Sequence, residues 1–190
     1  PTPTLLPQER AVLEEIYSTL GGSNWLYSHG TDVYNGGGRW MSGDPCADRW
    51  FGVQCDTNGT SAGSGTHAHV VGLFPNPRGS GNPLIGQLPS SIANLTMLQH
   101  FYSSNDKTPS SLSGTLPASF GTLRHLKCMY FSHNVLTGTI PETFTQLTNL
   151  QAFLMRRNHL HGELIDLSPL RSLVNVWFDG QNLTRSLSSL

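Results

Sequence analysis

A residue spacing between Leu123 and Pro141 constrains this chain more than any other feature. The stretch reads LRHLKCMYFSHNVLTGTIP, and its apolar residues are Leu123, Leu126, Met129, Phe131, Leu136 and Ile140. Neither a single helix nor a single strand has this spacing, because their side chains repeat about every 3.6 and every 2 residues. The spacing instead predicts one coil of a solenoid, in which a short strand is followed by a turn and a looser return segment.

The same spacing recurs in five copies, which begin near Val70, Leu95, Leu123, Leu147 and Leu170. The last copy is degenerate. A glycine marks the first four copies, at Gly86, Gly114, Gly138 and Gly162, with separations of 28, 24 and 24 residues. One coil cannot bury its own apolar side, so the coils must stack into a continuous core. We therefore expect strands that pair in parallel, with the apolar positions of each coil facing inward.

An asparagine ends the strand segment in two of the copies. Asn134 and Asn158 are expected to satisfy unpaired backbone groups at the turn with their side-chain amides. Arg78, Asp106 and Gln181 stand at this position in the other copies. We therefore expect the asparagine ladder to weaken towards both ends of the array.

The Gly-Thr-Ile-Pro segment at residues 138–141 and its variants resemble the plant-type subclass of leucine-rich repeats. Receptor-kinase ectodomains and polygalacturonase-inhibiting proteins carry this subclass, and the resemblance covers most of the chain. It implies an α/β fold, namely a right-handed leucine-rich-repeat solenoid with a short parallel sheet on its concave face. It also implies a second short strand before a 3₁₀ turn in each coil. Ile165 and Arg185 depart from the pattern, where Pro and Gly are expected.

The residues before the first coil resemble the N-terminal cap of plant-type repeat proteins. Residues 8–20 place Val12, Leu13, Ile16 and Leu20 on one helical face, and a Cys–Trp–Gly–Val–Cys hairpin follows. The longer cysteine spacing and the glycine-rich linker at residues 28–38 are closer to algal, protist and bacterial caps. The predicted organisation is a cap over 1–68 and repeats over 69–190 in one continuous domain.

Cys46 and Cys55 are predicted to form a disulfide bond that stabilises the cap. A zinc-binding pair is the alternative, but two further ligands at zinc-finger spacing do not follow in the sequence. A disulfide indicates an oxidising compartment, and the sequons at Asn58, Asn94 and Asn182 are predicted glycosylation sites in agreement with it. We therefore expect an extracellular protein, either secreted or the ectodomain of a cell-surface protein.

Composition argues against a nucleic-acid-binding protein and against a membrane span within this sequence. A net charge of −1 with 12% charged residues argues against nucleic-acid binding, which requires a basic surface. The sequence has no apolar run long enough for a membrane span, so no direct membrane insertion is expected within it. The start PTPT looks like a trimmed or mature one, and further domains beyond Leu190 are compatible with the missing C-terminal cysteine pair.

The residues that point outward from the strands are the candidate ligand-binding residues. They comprise a central aromatic column and polar neighbours, namely Phe74, Tyr102, Tyr130, His133, Leu154, Arg156, Arg157, Trp177 and Asp179. A contiguous exposed row of large apolar side chains favours an interaction surface. The alternative is that aromatic residues occur here only because they favour β-strands.

Other residues suggest chemistry more weakly. Cys128 and His100 are expected to be neighbours on adjacent strands, but no third catalytic group accompanies them, so we predict that the chain is not an enzyme. The two His-x-His motifs, His67-x-His69 and His159-x-His161, lack further ligands at fixed spacing, so neither a metal nor a cofactor is predicted. Insertions at residues 79–82 and 107–110 are either tolerated loop growth or a binding rim.

Together these features predict a secreted or cell-surface module that binds a protein, peptide or glycan through its concave face, as a receptor, co-receptor or inhibitor. The alternative is a structural or adhesive module of an extracellular matrix or cell wall.

Overall fold

The computed structural model describes residues 4–25, 40–56, 67–75, 84–103 and 111–184. Within these residues there is one α-helix, α1 (Pro7–Thr19), and four 3₁₀ helices at Gly22–Asn24, Ser90–Asn94, Ala118–Thr122 and Glu142–Gln146. The strands that lead into and form the coils are β1 (Thr4–Leu5), β2 (Val53–Asp56), β3 (His67–Leu73), β4 (Ile85–Gln87), β5 (His100–Tyr102), β6 (Ser111–Ser113), β7 (Cys128–Tyr130), β8 (Thr137–Gly138), β9 (Ala152–Leu154), β10 (His159–Glu163), β11 (Asn175–Trp177) and β12 (Asn182–Thr184).

The first strands of successive coils build the main sheet. Its order is β1-β3-β5-β7-β9-β11, all pairs along this path are parallel, and β2 pairs with β3 in antiparallel orientation. The second strands form smaller parallel sheets, β4-β6 and β8-β10-β12. The two strands per coil and the 3₁₀ helices confirm the leucine-rich-repeat solenoid.

The recurring glycine lets the backbone turn within the second strand. Gly138, for example, has a φ angle of 79°, in the left-handed region that other residues adopt only at a cost. A Cβ atom added there would also lie 2.8 Å from the Cγ2 methyl of Thr115 in the preceding coil. The glycine spacing found in the sequence therefore reflects both a turn and a close contact between coils.

The core lies between the two sets of strands and is continuous from coil to coil. Met129 and Phe131 are fully buried, whereas Tyr130 between them is half-buried on the outer side of the sheet. Phenylalanine rings at related positions pack edge-to-face, as Phe101 and Phe131 do at 4.9 Å between ring centroids. The predicted inward register of β5, β7 and β9 is confirmed.

The asparagine ladder forms where it was expected. The Oδ1 atom of Asn158 accepts a hydrogen bond from the Leu136 amide at 3.1 Å, and its Nδ2 donates to the carbonyl groups of Phe131 and Met155. Asn134 makes the equivalent bonds one coil earlier. Gln181, at the same position in the last coil, has buried Oε1 and Nε2 atoms with no hydrogen-bond partner among the described residues.

The cap covers the first coil with a helix and a tryptophan cluster. The predicted apolar face of α1 is buried, and Trp25, Trp40 and Trp50 pack together with centroid distances of 5.1 and 5.2 Å. The predicted disulfide between Cys46 and Cys55 is present, with a Cα–Cα distance of 5.6 Å.

A buried carboxylate that sequence reasoning missed joins α1 to the first coil. Glu9 is 1% exposed; its Oε1 atom lies 2.7 Å from Nδ1 of His69, and its Oε2 accepts the Val70 amide at 2.8 Å. Burial of a carboxylate requires such partners. This pair therefore fixes the helix against β3.

The last coil departs from its expected packing. Val176 occupies the position of Met129 and Phe153 and was expected to face the core, but it is 38% exposed. Among the described residues, no later strand pairs with β11, so no described strand covers this side of Val176. The return segment at 164–170 also contains no 3₁₀ helix, in agreement with the missing proline at Ile165.

Several predictions fall outside the described residues. They concern the two insertions, the sequon at Asn58, the turn residues Arg78 and Asp106, and the segment from Arg185 to Leu190.

Candidate functional site

Stacked aromatic rings run across the outer side of the main sheet. Tyr102 and Tyr130 are register partners on β5 and β7, and their ring centroids lie 4.3 Å apart. Phe74, which directly follows β3, stacks on Tyr102 at 4.9 Å with an interplanar angle of 23°. All three rings are half-buried. We call the row of Phe74, Tyr102, Tyr130, Leu154 and Trp177 the concave stripe.

Leu154 was expected to be an exposed member of the stripe, and this expectation is wrong. Its residue is only 9% exposed. Leu154 is the register partner of Tyr130 on one side and of Trp177 on the other, and both neighbours carry much larger side chains. The aromatic neighbours therefore cover it, and its role is to support them.

Trp177 is the most exposed large side chain of the stripe. It is 50% exposed, and the guanidinium carbon of Arg156 lies 5.7 Å from its ring centroid. A cation over an indole face is attracted by the ring quadrupole, by about 0.5–1 kcal/mol at an exposed site. The Nε atom of Arg156 lies 3.3 Å from Oδ2 of Asp179, within ion-pair range but without hydrogen-bond alignment. Asp179 and Trp177 therefore hold the guanidinium at the C-terminal end of the stripe.

The polar residues beside the stripe sit on a turn with unusual backbone geometry. His133 and Arg157 have φ angles of 60° and 53°, and Gly180 occupies the equivalent place in the last coil with a φ of 78°. The His133 amide donates to the Arg156 carbonyl at 2.9 Å, and the Arg157 amide donates to the Asp179 carbonyl at 2.9 Å. These bonds hold the left-handed turns in line, so the sequence-predicted polar residues lie along one edge of the stripe.

His100 and Cys128 are neighbours, as predicted, because they are register partners on β5 and β7. Cys128 is a free, half-buried cysteine. Burial lowers the pKa of His100, and the positive charge of Lys127 lowers it further. Burial raises the pKa of the Tyr102 hydroxyl, and hydrogen bonding to Cys128 adds to this effect. Both shifts favour the uncharged forms of the His100 and Tyr102 side chains.

Gly72 is a site residue that sequence reasoning did not single out. A Cβ atom there would lie 2.6 Å from Cε2 of Phe74, so only glycine leaves room for this ring to fold back over β3. The signal was available in the sequence, since Gly72 is the one glycine in the column of His100, Cys128, Ala152 and Asn175.

The described residues contain no helix long and apolar enough to cross a membrane. Nor do they contain a group of three or more His, Cys, Asp or Glu side chains arranged to hold a metal ion.

Comparisons with known proteins agree with the architecture. The family model described as "Leucine rich repeat" matches residues 109–160. No curated protein sequence matches the chain significantly.

Solved structures similar to this chain include several plant proteins. The LRR ectodomain of the receptor kinase SOBIR1 from Arabidopsis thaliana has a TM-score of 0.72 and 22% identity over 96% of this chain and 84% of that one. The plant peptide hormone receptor RGFR1 in complex with RGF2 has a TM-score of 0.50 and 35% identity, over 54% of this chain and only 16% of the receptor. A plant ice-binding protein has a TM-score of 0.56 and 22% identity, over 95% of this chain and 58% of that one.

Proposed function

We propose that this leucine-rich-repeat protein is an extracellular recognition module that binds a protein or peptide across the concave stripe. The carrying observation is the row of closely packed, half-buried rings that ends in the exposed Trp177 beside Arg156. Large aromatic side chains and arginine are the residue types that most often carry binding energy at interfaces. The fold by itself does not decide the function, since both a hormone receptor and an ice-binding protein share it.

Within the stripe, the proposed anchors are Tyr102, Tyr130 and Trp177. Their rings are already stacked or held by a neighbour, so binding would immobilise few side chains anew, and pre-organised groups lose less entropy. Arg156 would orient a ligand at the C-terminal end, with Asp179 and Arg157 beside it. His133 would contribute a polar contact at the edge. Leu154 lies between Tyr130 and Trp177 in the sheet, is largely buried, and is not expected to be an anchor.

An extracellular location is part of the proposal. The Cys46–Cys55 disulfide supports it, because such bonds persist in oxidising compartments. The side chains of Asn94 and Asn182 are exposed, so two of the three sequons are accessible to glycosylation. Expression in a eukaryotic secretory host, followed by enzymatic deglycosylation and mass spectrometry, tests this location, and unmodified Asn94 and Asn182 would argue against it.

Selection from a displayed random peptide library tests the binding proposal. Selected peptides should lose about 5- to 150-fold in affinity for the Tyr130→Ala and Trp177→Ala variants, which corresponds to about 1–3 kcal/mol. The matched control is Ile85→Ala, because Ile85 is an apolar side chain of similar exposure on the second set of strands.

Two outcomes would contradict the proposal. In the first, peptides bind equally well to the stripe variants and to the wild type, so that the ligand lies elsewhere. In the second, no peptide is selected but a glycan array shows binding that depends on Trp177, which would make the ligand a carbohydrate. A structural or adhesive module does not need the exposed rings. Its function would therefore be unchanged by Tyr130→Ala and Trp177→Ala as well as by the control Ile85→Ala.

A further inference from the structure

The chain contains two His-x-His motifs that look alike in sequence but differ in structure. His67 and His69 lie on β3, and Nδ1 of His69 is engaged by the buried carboxylate of Glu9 at 2.7 Å. His159 and His161 lie on β10, in the second set of strands. In the first motif, Glu9 therefore occupies Nδ1 of His69, and the His69 side chain is half-buried.

Both imidazoles of the second motif are available. The burial pattern of β10 alternates, so that His159 and His161 are exposed and Leu160 between them is buried. The two histidines thus project from the same face of β10, about 6.6 Å apart along the strand and before the left-handed turn at Gly162. Neither imidazole has a hydrogen bond or ion pair within the part of the chain that the structure describes.

The surroundings of this pair also suit a cation. The adjacent strands β8 and β12 contribute Thr137, Asn182 and Thr184, which carry no charge. Glu163, two residues after His161 on β10, is an exposed carboxylate. No Lys or Arg lies on β8, β10 or β12, so no positive side chain of these strands repels a bound ion.

We propose that His159 and His161 together chelate one late first-row divalent metal ion of the Zn²⁺ or Cu²⁺ class. Imidazole nitrogens bind such ions at about 2.0–2.1 Å, and this ligand type selects them over Mg²⁺ and Ca²⁺. No three-residue group converges among the described residues, so the protein supplies two ligands. Water or a group from an external ligand completes the coordination. The site lies on the second set of strands and is therefore separate from the concave stripe.

Calorimetric titration of tag-free protein with Zn²⁺ tests the proposal. One ion per chain should bind, Mg²⁺ at the same concentration should not, and a chelator should reverse the binding. His159→Asn and His161→Asn should each weaken binding by at least about tenfold, since even outer-shell partners of metal ligands are worth that much. Because both side chains are exposed, the variants are expected to keep the wild-type thermal unfolding curve, which is the fold control.

His67→Asn is the matched control, since it alters an exposed histidine of the first motif and should leave Zn²⁺ affinity unchanged. A Cys128→Ser variant, which removes the free thiol as a competing ligand, should also bind as the wild type does. Absence of Zn²⁺ binding would overturn the proposal. So would binding that survives both His159→Asn and His161→Asn, or binding that His67→Asn or Cys128→Ser removes.

Discussion

Phe131 and Tyr130 are adjacent in the chain but face opposite sides of the main sheet, so alanine at each position should have very different effects. Phe131 is fully buried, and its ring lies 4.9 Å from Phe101 and 6.0 Å from Phe120, both edge-to-face. Truncation of a buried phenylalanine opens a cavity and costs about 3–5 kcal/mol of unfolding free energy. Tyr130 is half-buried, and its ring packs against that of Tyr102 at a tilt of 34°, with the centroids 4.3 Å apart. Its truncation should cost about 0.5–1.5 kcal/mol through the lost ring pair.

Urea unfolding followed by far-ultraviolet circular dichroism measures this difference. Both variants should keep the wild-type slope of free energy against urea, while the midpoint falls much further for Phe131→Ala. A double variant, Tyr102→Ala with Tyr130→Ala, is the control for the stack: its cost should be less than the sum of the single costs, because both single changes break the same ring pair. If Tyr130→Ala costs as much as Phe131→Ala, the assignment of inner and outer sides is wrong.

The remaining predictions concern the ladder, the stripe and the thiol. Asn158→Ala should lower the free energy of unfolding in urea by about 2–4 kcal/mol, because it leaves buried backbone groups unpaired. Gln181→Ala should lower it far less, and equal losses would contradict a stabilising role of the asparagine ladder. Acrylamide should quench mainly the fluorescence of Trp177, since the other three tryptophans are buried, and Trp177→Phe should remove that quenching. Mass spectrometry under denaturing, non-reducing conditions should find one alkylatable cysteine, Cys128; a second would argue against the disulfide. Because the pKa of His100 is lowered in the folded state, the unfolded chain binds more protons just below about pH 6.5, so stability should fall as the pH drops through that range. His100→Asn should flatten this dependence in thermal unfolding curves, and an unchanged slope would contradict the assignment.

Much of the fold follows from local sequence because each coil repeats the same packing problem. The spacing of Met129 and Phe131 places both on one side of a strand, and neighbouring coils supply identical partners, so register and core positions are predictable. The hydrogen bonds of Asn134 and Asn158 follow from the same repetition.

The sequence predicted which residues line the outer side of the sheet, but it did not predict which of them are exposed or how their rings pack. The stacking of Phe74 on Tyr102 depends on the space above Gly72, and the burial of Leu154 depends on the size of Tyr130 and Trp177 on the adjacent strands. Exposure is a property of neighbours in space, so a column of residues read from separate coils does not reveal it.

The repeat spacing alone thus determined that this chain forms a solenoid with aromatic residues on the outer side of its sheet. Tertiary structure alone decided the polar contacts that occur only once in the fold. Glu9 and His69 are 60 residues apart and meet only because α1 packs on the first coil. That contact engages Nδ1 of His69, whereas the side chain of His161, in a motif of the same form, has no hydrogen bond among the described residues. Sequence periodicity specifies contacts that every coil repeats, whereas a contact made once, between the cap and one coil, requires the folded chain.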